Sequence, residues 1–289
     1  MSVPPIAVDE SLRTGERPPV VPTPMPGLFG PLNPVVDSWH GRHVWVVGAS
    51  SGIGHALARA LIRRGAIVAV SARRRAPLET LAASNPGVEV LDFDVADASA
   101  TRAAAETLAR RWPRIDLVLW LAGIYDPMRA TDFDLARARR MIEANLMGPL
   151  NGLDALLPTL LAQKHGGFAL VASVAGYSGL PQALIYGPTK AALINLAESL
   201  YLDLRPHGIG VHLINPGFVE TPATAVNDFR MPALQTPEQA AERTLAGIAA
   251  GRFEVHFPRR FTTWLKFARC LPYRLYFSCV RLATGLRHG

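Results

Sequence analysis

The feature that most constrains the fold is an alternation of two kinds of segment between residues 43 and 257. Short, continuously apolar runs with the character of β-strands alternate with Ala-, Leu- and Arg-rich segments of helical periodicity. The strand-like runs cover residues 43–48, 67–71, 88–92, 116–121, 168–173, 209–215 and 253–257. Strands that are apolar throughout are typical of a parallel sheet with helices on both faces. The pattern therefore predicts a doubly wound α/β domain built on a parallel sheet.

Composition divides the chain into three parts, of which the middle one, residues 40–257, carries this alternation. Residues 1–39 hold nine of the 24 prolines. Proline donates no backbone hydrogen bond and fixes φ, so we expect a flexible, extended arm there. Residues 258–289 form a basic, aromatic C-terminal segment.

The formal charge of +7 lies almost wholly at the C-terminal end. Residues 252–289 contain eight Arg or Lys and one acid, Glu254, which is a net of +7, so the rest of the chain is balanced. A nucleic-acid-binding enzyme would carry its basic patch on the folded core, and we therefore expect no nucleic-acid partner.

Cysteine and histidine usage points to a protein without disulfides or metals. The two cysteines, Cys270 and Cys279, cannot form a disulfide framework, which fits a reducing compartment such as the cytoplasm. The eight histidines show no ligand spacing, so we expect no metal site. Neither a signal-peptide pattern nor an apolar run of membrane-spanning length is present in the sequence.

A glycine-rich turn follows the first predicted strand, in Gly48-Ala49-Ser50-Ser51-Gly52-Ile53-Gly54. Glycines permit a tight turn and a close approach of the backbone to a ligand, and a helix that starts here presents unpaired N–H groups. Such a pattern alone is weak evidence, but its place after the first strand of a βα domain predicts a dinucleotide phosphate site.

The end of the second predicted strand bears on the choice of dinucleotide. A site selective for NAD usually has an acid there for the ribose 2′-hydroxyl, whereas this chain has Ala72-Arg73-Arg74-Arg75. Guanidinium groups suit a 2′-phosphate, so we expect NADP(H) rather than NAD(H), with Arg73 as the contact. The alternative is a solvated cluster of charges at a helix entry.

Tyr186 lies four residues before Lys190, which is one of only three lysines in the chain. On a helix, two residues with this spacing share a face. A phenol has a pKa of about 10 in water, too high for acid–base work at neutral pH. A nearby ammonium stabilises the phenolate, so we expect Lys190 to lower the pKa of Tyr186. Ser173 closes the strand-like run before them.

In this order, these residues resemble the classical short-chain dehydrogenase/reductase family over roughly residues 43–257. The resemblance implies a Rossmann-like sheet of seven strands in the order 3-2-1-4-5-6-7. It also implies a catalytic tetrad formed by Asn145, Ser173, Tyr186 and Lys190. The cofactor contacts it implies are Gly48, Ser50, Ser51, Gly52, Ile53, Gly54, Arg73, Asp94, Val95, Ala122, Gly123, Tyr186, Lys190, Pro216, Gly217, Val219 and Thr221.

Three residues depart from the family pattern. Val47 stands where the family usually has threonine, and Trp120-Leu121 replaces the usual Asn-Asn before Ala122-Gly123. The polar residues normally tie neighbouring strands together, so apolar packing is expected to substitute.

Asn145 is followed four residues later by Pro149, which has no N–H for the Asn145 carbonyl. We therefore expect the helix to kink here and to release that carbonyl. In the family this carbonyl is implicated in holding a water that relays protons to the lysine.

The resemblance implies an enzyme that passes a hydride between a nicotinamide and a small-molecule carbonyl or alcohol, here an apolar one. Tyr186 would exchange the proton, and Ser173 would hydrogen-bond the substrate oxygen. We also expect a homodimer or homotetramer. The rivals are a nucleotide-binding scaffold or redox sensor without turnover, and a lipid-surface protein whose C-terminal segment carries the function.

The C-terminal segment interleaves aromatic residues with arginines and a lysine, as in Trp264, Lys266 and Phe267. This composition suits peripheral contact with a membrane interface. The alternatives are a lid over an apolar substrate site and a packed helix, either in a dimer interface or on the domain itself, and the sequence does not separate them.

Overall fold

Seven parallel strands form one sheet in the computed structural model of the chain, which describes residues 30–227, 229 and 231–284. The strands are β1 (His43–Val47), β2 (Ile67–Ser71), β3 (Glu89–Val90), β4 (Leu117–Trp120), β5 (Gly167–Val171), β6 (Gly210–Pro216) and β7 (Glu254–Phe257). They pair in the order β3-β2-β1-β4-β5-β6-β7. The predicted sheet and its strand order are therefore confirmed.

Helices connect successive strands and cover both faces of the sheet, and further helices follow β7. They are α1 (Gly52–Arg63), α2 (Arg75–Ala83), α3 (Ala98–Arg111), α4 (Leu135–Ile142), α5 (Gly148–Gln163), α6 (Tyr186–Leu204), α7 (Pro237–Ala249), α8 (Arg259–Arg269) and α9 (Tyr273–Thr284). The start of α7 shows how local sequence sets a boundary: the Thr236 hydroxyl accepts from the Gln239 amide at 3.2 Å, and the Gln239 side chain accepts from the Thr236 amide at 3.2 Å. This reciprocal capping satisfies two donors that the helix itself leaves unpaired.

The core has two layers because successive strand residues point to opposite faces. On β1, Val44 and Val46 join the layer beneath α1 and α7, whereas Trp45 and Val47 join the layer beneath α3, α5 and α6. All four of these side chains are fully buried. Burial on both faces accounts for the unbroken apolar runs in the sequence.

Apolar packing replaces the polar ties that the family usually has at the end of β4. Trp120 is 1% exposed, stacks on Phe168 with ring centroids 6.0 Å apart, and meets Trp45 edge-on at 6.3 Å. A Cβ on Gly152 would lie 2.2 Å from the Trp120 ring, so α5 can approach β4 only because residue 152 is glycine. This close fit confirms the expected substitution of packing for hydrogen bonding.

Residues 30–39, which were expected to belong to a flexible arm, pack against the domain. Asn33 is buried, donates to the Val211 carbonyl at 2.7 Å and accepts from the Val211 amide at 2.9 Å. The Leu32 carbonyl accepts from the Tyr201 hydroxyl at 3.1 Å. This stretch therefore belongs with the domain, and residues 1–29 of the expected arm lie outside the described residues.

The two C-terminal helices are attached to the domain by one side each. On α8, Thr262 is buried and Lys266 forms an ion pair with Glu254 of β7. On α9, the Tyr276 hydroxyl donates to the Gly179 carbonyl at 2.7 Å. Trp264 and Phe267, in contrast, are 71% and 60% exposed. These two rings are therefore not covered by the described residues of the chain itself.

Candidate active site

The glycine-rich turn links the end of β1 to the start of α1. Gly48 and Gly52 have φ values of +102° and +55°, which side chains other than glycine rarely adopt. A Cβ on Gly48 would lie 2.6 Å from the Ala122 amide nitrogen. Ser51 precedes the first turn of α1 without capping it, so the N–H groups of that turn are left for another acceptor. An anion such as a phosphate fits these donors.

A cavity of about 620 Å³ lies over the carboxyl ends of the strands and includes this turn. Every predicted cofactor contact lines it: Gly48, Ser50, Ser51, Gly52, Ile53, Gly54, Arg73, Asp94, Val95, Ala122, Gly123, Tyr186, Lys190, Pro216, Gly217, Val219 and Thr221. Ser173 lines it as well, and Asn145 lies behind its wall. The volume, the glycine turn and the basic side chains fit a dinucleotide.

Arginines occupy the end of β2, at one side of the cavity. Arg73 Nη1 lies 4.0 Å from Asp94 Oδ2, with 65% of its side chain exposed. Arg74, which sequence reasoning did not single out, reaches the phosphate turn, where its Nη2 donates to Ser50 Oγ at 3.5 Å. Arg75 turns away and pairs with Asp92. The signal for Arg74 was present in the arginine run, but the run does not reveal which side chain faces the turn.

Ser173 and Tyr186 meet at the opposite end of the cavity. Ser173 follows β5, and its hydroxyl accepts from the Ala175 amide at 3.1 Å. Tyr186 begins α6, and its hydroxyl lies close enough to the Ser173 side chain for that serine to favour the phenolate. Because α6 starts at Tyr186, Pro188 falls in the first turn, where a missing N–H disturbs no helical bond. The sequence therefore places a phenol and a hydroxyl side by side.

Lys190 lies one turn along α6 beneath the phenol. It is 5% exposed, its Nζ donates to the Val171 carbonyl at 2.9 Å, and Nζ is 5.6 Å from the centroid of the Tyr186 ring. Burial lowers the pKa of Lys190 to about 8. The two side chains share a face, as their spacing predicts.

Burial dominates the ionisation of Tyr186. It raises the pKa of the phenol to about 12, and the hydrogen bond with Ser173 acts in the opposite direction. The expectation that Lys190 lowers this pKa is therefore not met in the chain alone. The physical reason is that the cavity wall removes water from the phenolate, and the Lys190 ammonium is directed at the Val171 carbonyl.

Asn145 ties the loop after β4 to α6. Its side chain accepts from the Ile124 amide at 2.7 Å, donates to the Ile124 carbonyl at 2.8 Å and reaches Thr189 Oγ1 at 3.3 Å. Asn145 thus positions the residue next to Lys190.

The predicted disturbance appears around Asn145 as a π-helical turn over Glu143–Met147, directly before α5. Pro149 provides no N–H for the Asn145 carbonyl, and the chain here widens to i→i−5 bonding, with the Gly148 amide donating to the Glu143 carbonyl. The disturbance that Pro149 predicts is therefore present, in the form of a π-turn.

Two residues at the substrate end were not identified from the sequence. The Tyr125 ring lies 4.9 Å from the Tyr186 ring in an edge-on arrangement, and the Tyr125 hydroxyl donates to Asn227 Oδ1 at 3.0 Å. The sequence does not reveal this contact, because it joins residues 102 positions apart. Among the residues that the structure describes, no three His, Cys, Asp or Glu side chains are grouped to hold a metal ion.

Comparison with known proteins agrees with this geometry. The sequence profile described as short chain dehydrogenase matches residues 42–230. An uncharacterized oxidoreductase of Myxococcus xanthus is 36% identical over 244 residues, which are 83% of this chain and 96% of that protein. The chain belongs to the short-chain dehydrogenase family. It is therefore an oxidoreductase of a family that uses NAD(P)(H).

More distant short-chain dehydrogenases of known structure share the fold. One from Streptomyces avermitilis superposes with a TM-score of 0.74 at 22% identity, covering 84% of this chain and 97% of that one. One from Burkholderia cenocepacia, solved in complex with NADP, also gives 0.74, at 24% identity, covering 84% of this chain and 98% of that one.

Proposed function

We propose that this short-chain dehydrogenase interconverts a carbonyl and an alcohol, prefers NADP(H) and acts on an apolar substrate. The observation that carries the proposal is the Ser173–Tyr186 pair at one end of a cavity whose other end is the glycine turn. The nicotinamide, when bound, supplies or accepts the hydride. The chain's own residues bind the dinucleotide, orient the substrate oxygen and hold the proton.

Tyr186 is suited to hold that proton. Its buried phenol is protonated at neutral pH and therefore carries a proton for a carbonyl oxygen. Because burial also makes the phenol a weaker acid, the transfer depends on the positive charge of Lys190 one helical turn away. Ser173, which lines the cavity beside it, would donate to the same oxygen and stabilise the charge that develops there. Asn145 and Lys190 position the loop and the helix beneath the pair.

The preference for NADP(H) rests on charge at the end of β2. Arg73 and Arg74 flank the cavity there, and no acid takes the place usual for the ribose 2′-hydroxyl. Two guanidinium groups suit the dianionic 2′-phosphate. The NADP bound to the Burkholderia cenocepacia relative supports this preference.

An apolar substrate fits the lining beyond the catalytic pair. Leu180, Pro181, Phe218 and Phe229 border the cavity there, together with the Tyr125 ring. Burying apolar groups of a substrate against these side chains is favourable, by about 25 cal/mol for each Å².

We also propose a homodimer or homotetramer, to be measured by light scattering.

The test is the oxidation of NADPH and of NADH, followed by absorbance, against ketones and aldehydes of increasing apolar chain length. We expect turnover with NADPH, weaker use of NADH, and kcat/KM that rises with chain length. A chain that binds NADPH tightly and reduces no carbonyl would instead be a nucleotide-binding scaffold or sensor. Equal affinity for the two dinucleotides would contradict the cofactor preference.

A further inference from the structure

The exposed sides of α8 and α9 combine apolar rings with basic groups. On α8, Trp264 is 71% exposed and Phe267 is 60% exposed, and the two rings lie edge-on, 6.1 Å apart. On α9, Tyr273 is 77% exposed and stacks on Phe277, which is 56% exposed. With the exposed Arg260 and Arg274, these four side chains make up what we term the aromatic-basic surface. Exposed pairs of aromatic rings beside basic groups suit an interaction site.

The charge of the segment has one sign. Residues 258–284 contain six basic residues and no acid. The acid that Lys266 pairs with, Glu254, lies outside the segment on β7. The aromatic-basic surface therefore suits a partner that is both apolar and negatively charged.

Contacts on the opposite side hold both helices in place. Phe261 and Leu265 pack against the core, and the Tyr276 hydroxyl bonds the Gly179 carbonyl. Phe261 also lies 5.9 Å from Phe218 of the cavity wall, measured between ring centroids. These contacts use the inner side of each helix. The outer rings do not line the cavity, which argues against a lid made of them.

We propose that the aromatic-basic surface docks this protein on anionic lipid bilayers. Trp and Tyr rings are favoured at the depth of the lipid headgroups, and arginines beside them bind anionic headgroups. Contact would be peripheral, since no helix among the described residues is long and apolar enough to cross a membrane. A symmetric contact with a second copy would bring together two surfaces that both carry positive charge and contain no acid, which costs free energy.

Tryptophan fluorescence offers a direct test, because four of the five tryptophans are buried and the fifth is Trp264. The buried ones, Trp39, Trp45, Trp112 and Trp120, are 8% exposed or less. Full-length protein mixed with vesicles of phosphatidylglycerol and phosphatidylcholine should show a blue shift of Trp264 emission. Bromine-labelled acyl chains should quench that emission, and added salt should weaken binding.

Paired variants separate the two parts of the surface. Arg260→Gln with Arg274→Gln should weaken binding to anionic vesicles by about 25-fold, since each basic residue near such a surface contributes about fivefold. Phe267→Ser with Phe277→Ser should weaken binding to anionic vesicles and leave its salt dependence in place. Phe133→Ser, which removes a ring 53% exposed outside the C-terminal segment, is the matched control and should bind normally.

The proposal does not depend on the redox chemistry, because vesicle binding is measured without substrate or dinucleotide. It is overturned if full-length protein fails to co-sediment with anionic vesicles at low salt, or if the paired variants bind as tightly as the control. It is also overturned if Phe267→Ser with Phe277→Ser converts a dimer to a monomer in light scattering without changing vesicle binding. The surface would then be a subunit interface.

Discussion

Replacing Lys190 by Met should stabilise the fold at neutral pH, although it alters the candidate site. Burial lowers the pKa of Lys190 from 10.5 to about 8, so the folded state disfavours the charged form. At about 1.4 kcal/mol for each pKa unit, this penalty is roughly 3 kcal/mol. Loss of the bond from Nζ to the Val171 carbonyl offsets about 1–2 kcal/mol. The expected net gain is about 1–2 kcal/mol, or about 2–6 °C in Tm.

The stability gained by Lys190→Met should decrease as pH rises. Below the folded pKa of about 8, both folded and unfolded chains carry the charge and the penalty is complete. Between pH 8 and 10.5 the folded chain releases the proton first, so wild-type stability recovers as pH rises. The advantage of Lys190→Met should therefore be greatest near pH 7 and smaller at pH 9.5.

Urea denaturation at these two pH values measures the effect. Lys164→Met, which removes an exposed lysine, is the matched control and should change stability little at either pH. A Lys190→Met protein that is less stable than wild type at pH 7 would refute the reasoning. So would an advantage that grows as pH rises.

Three further substitutions test separate parts of the account. Gly152→Ala should destabilise the fold by about 1–3 kcal/mol in urea denaturation, because the alanine Cβ would collide with the enclosed Trp120 ring. Unchanged stability would contradict that packing. Lys266→Met should lower the free energy of unfolding by about 1 kcal/mol, because its ion pair with Glu254 is partly exposed. Adding Glu254→Gln should restore most of that loss if the ion pair is the cause. Arg73→Asp should weaken NADPH binding by about 10- to 100-fold and change NADH binding little, as measured by fluorescence titration. An equal effect on both dinucleotides would show that Arg73 does not contact the 2′-phosphate.

The sheet and the cavity could be predicted from the sequence because each is encoded by residues that lie close together in the chain. Unbroken apolar runs indicate strands that are buried on both faces of the sheet. Gly48 and Gly52 indicate the backbone conformation of the turn after β1. The start of α7 at Thr236 could likewise be read from a few neighbouring residues.

What the sequence could not show depends on contacts between distant residues. The bond from Tyr125 to Asn227 and the approach of Arg74 to Ser50 follow from how loops meet. The raised pKa of Tyr186 follows from its enclosure, which spacing along a helix does not reveal. The exposure of Trp264 depends on which side of α8 meets the domain.

The central claim is that Tyr186 holds the proton that this oxidoreductase transfers. The most direct measurement is single-turnover reduction of a carbonyl substrate by NADPH, comparing wild type with Tyr186→Phe, which keeps the ring and removes the hydroxyl. The account predicts a rate at least 100-fold lower, at the lower end of about 10²–10⁴-fold for a lost acid–base group, with NADPH affinity retained. A rate within a few-fold of wild type would contradict it and leave Tyr186 a structural residue.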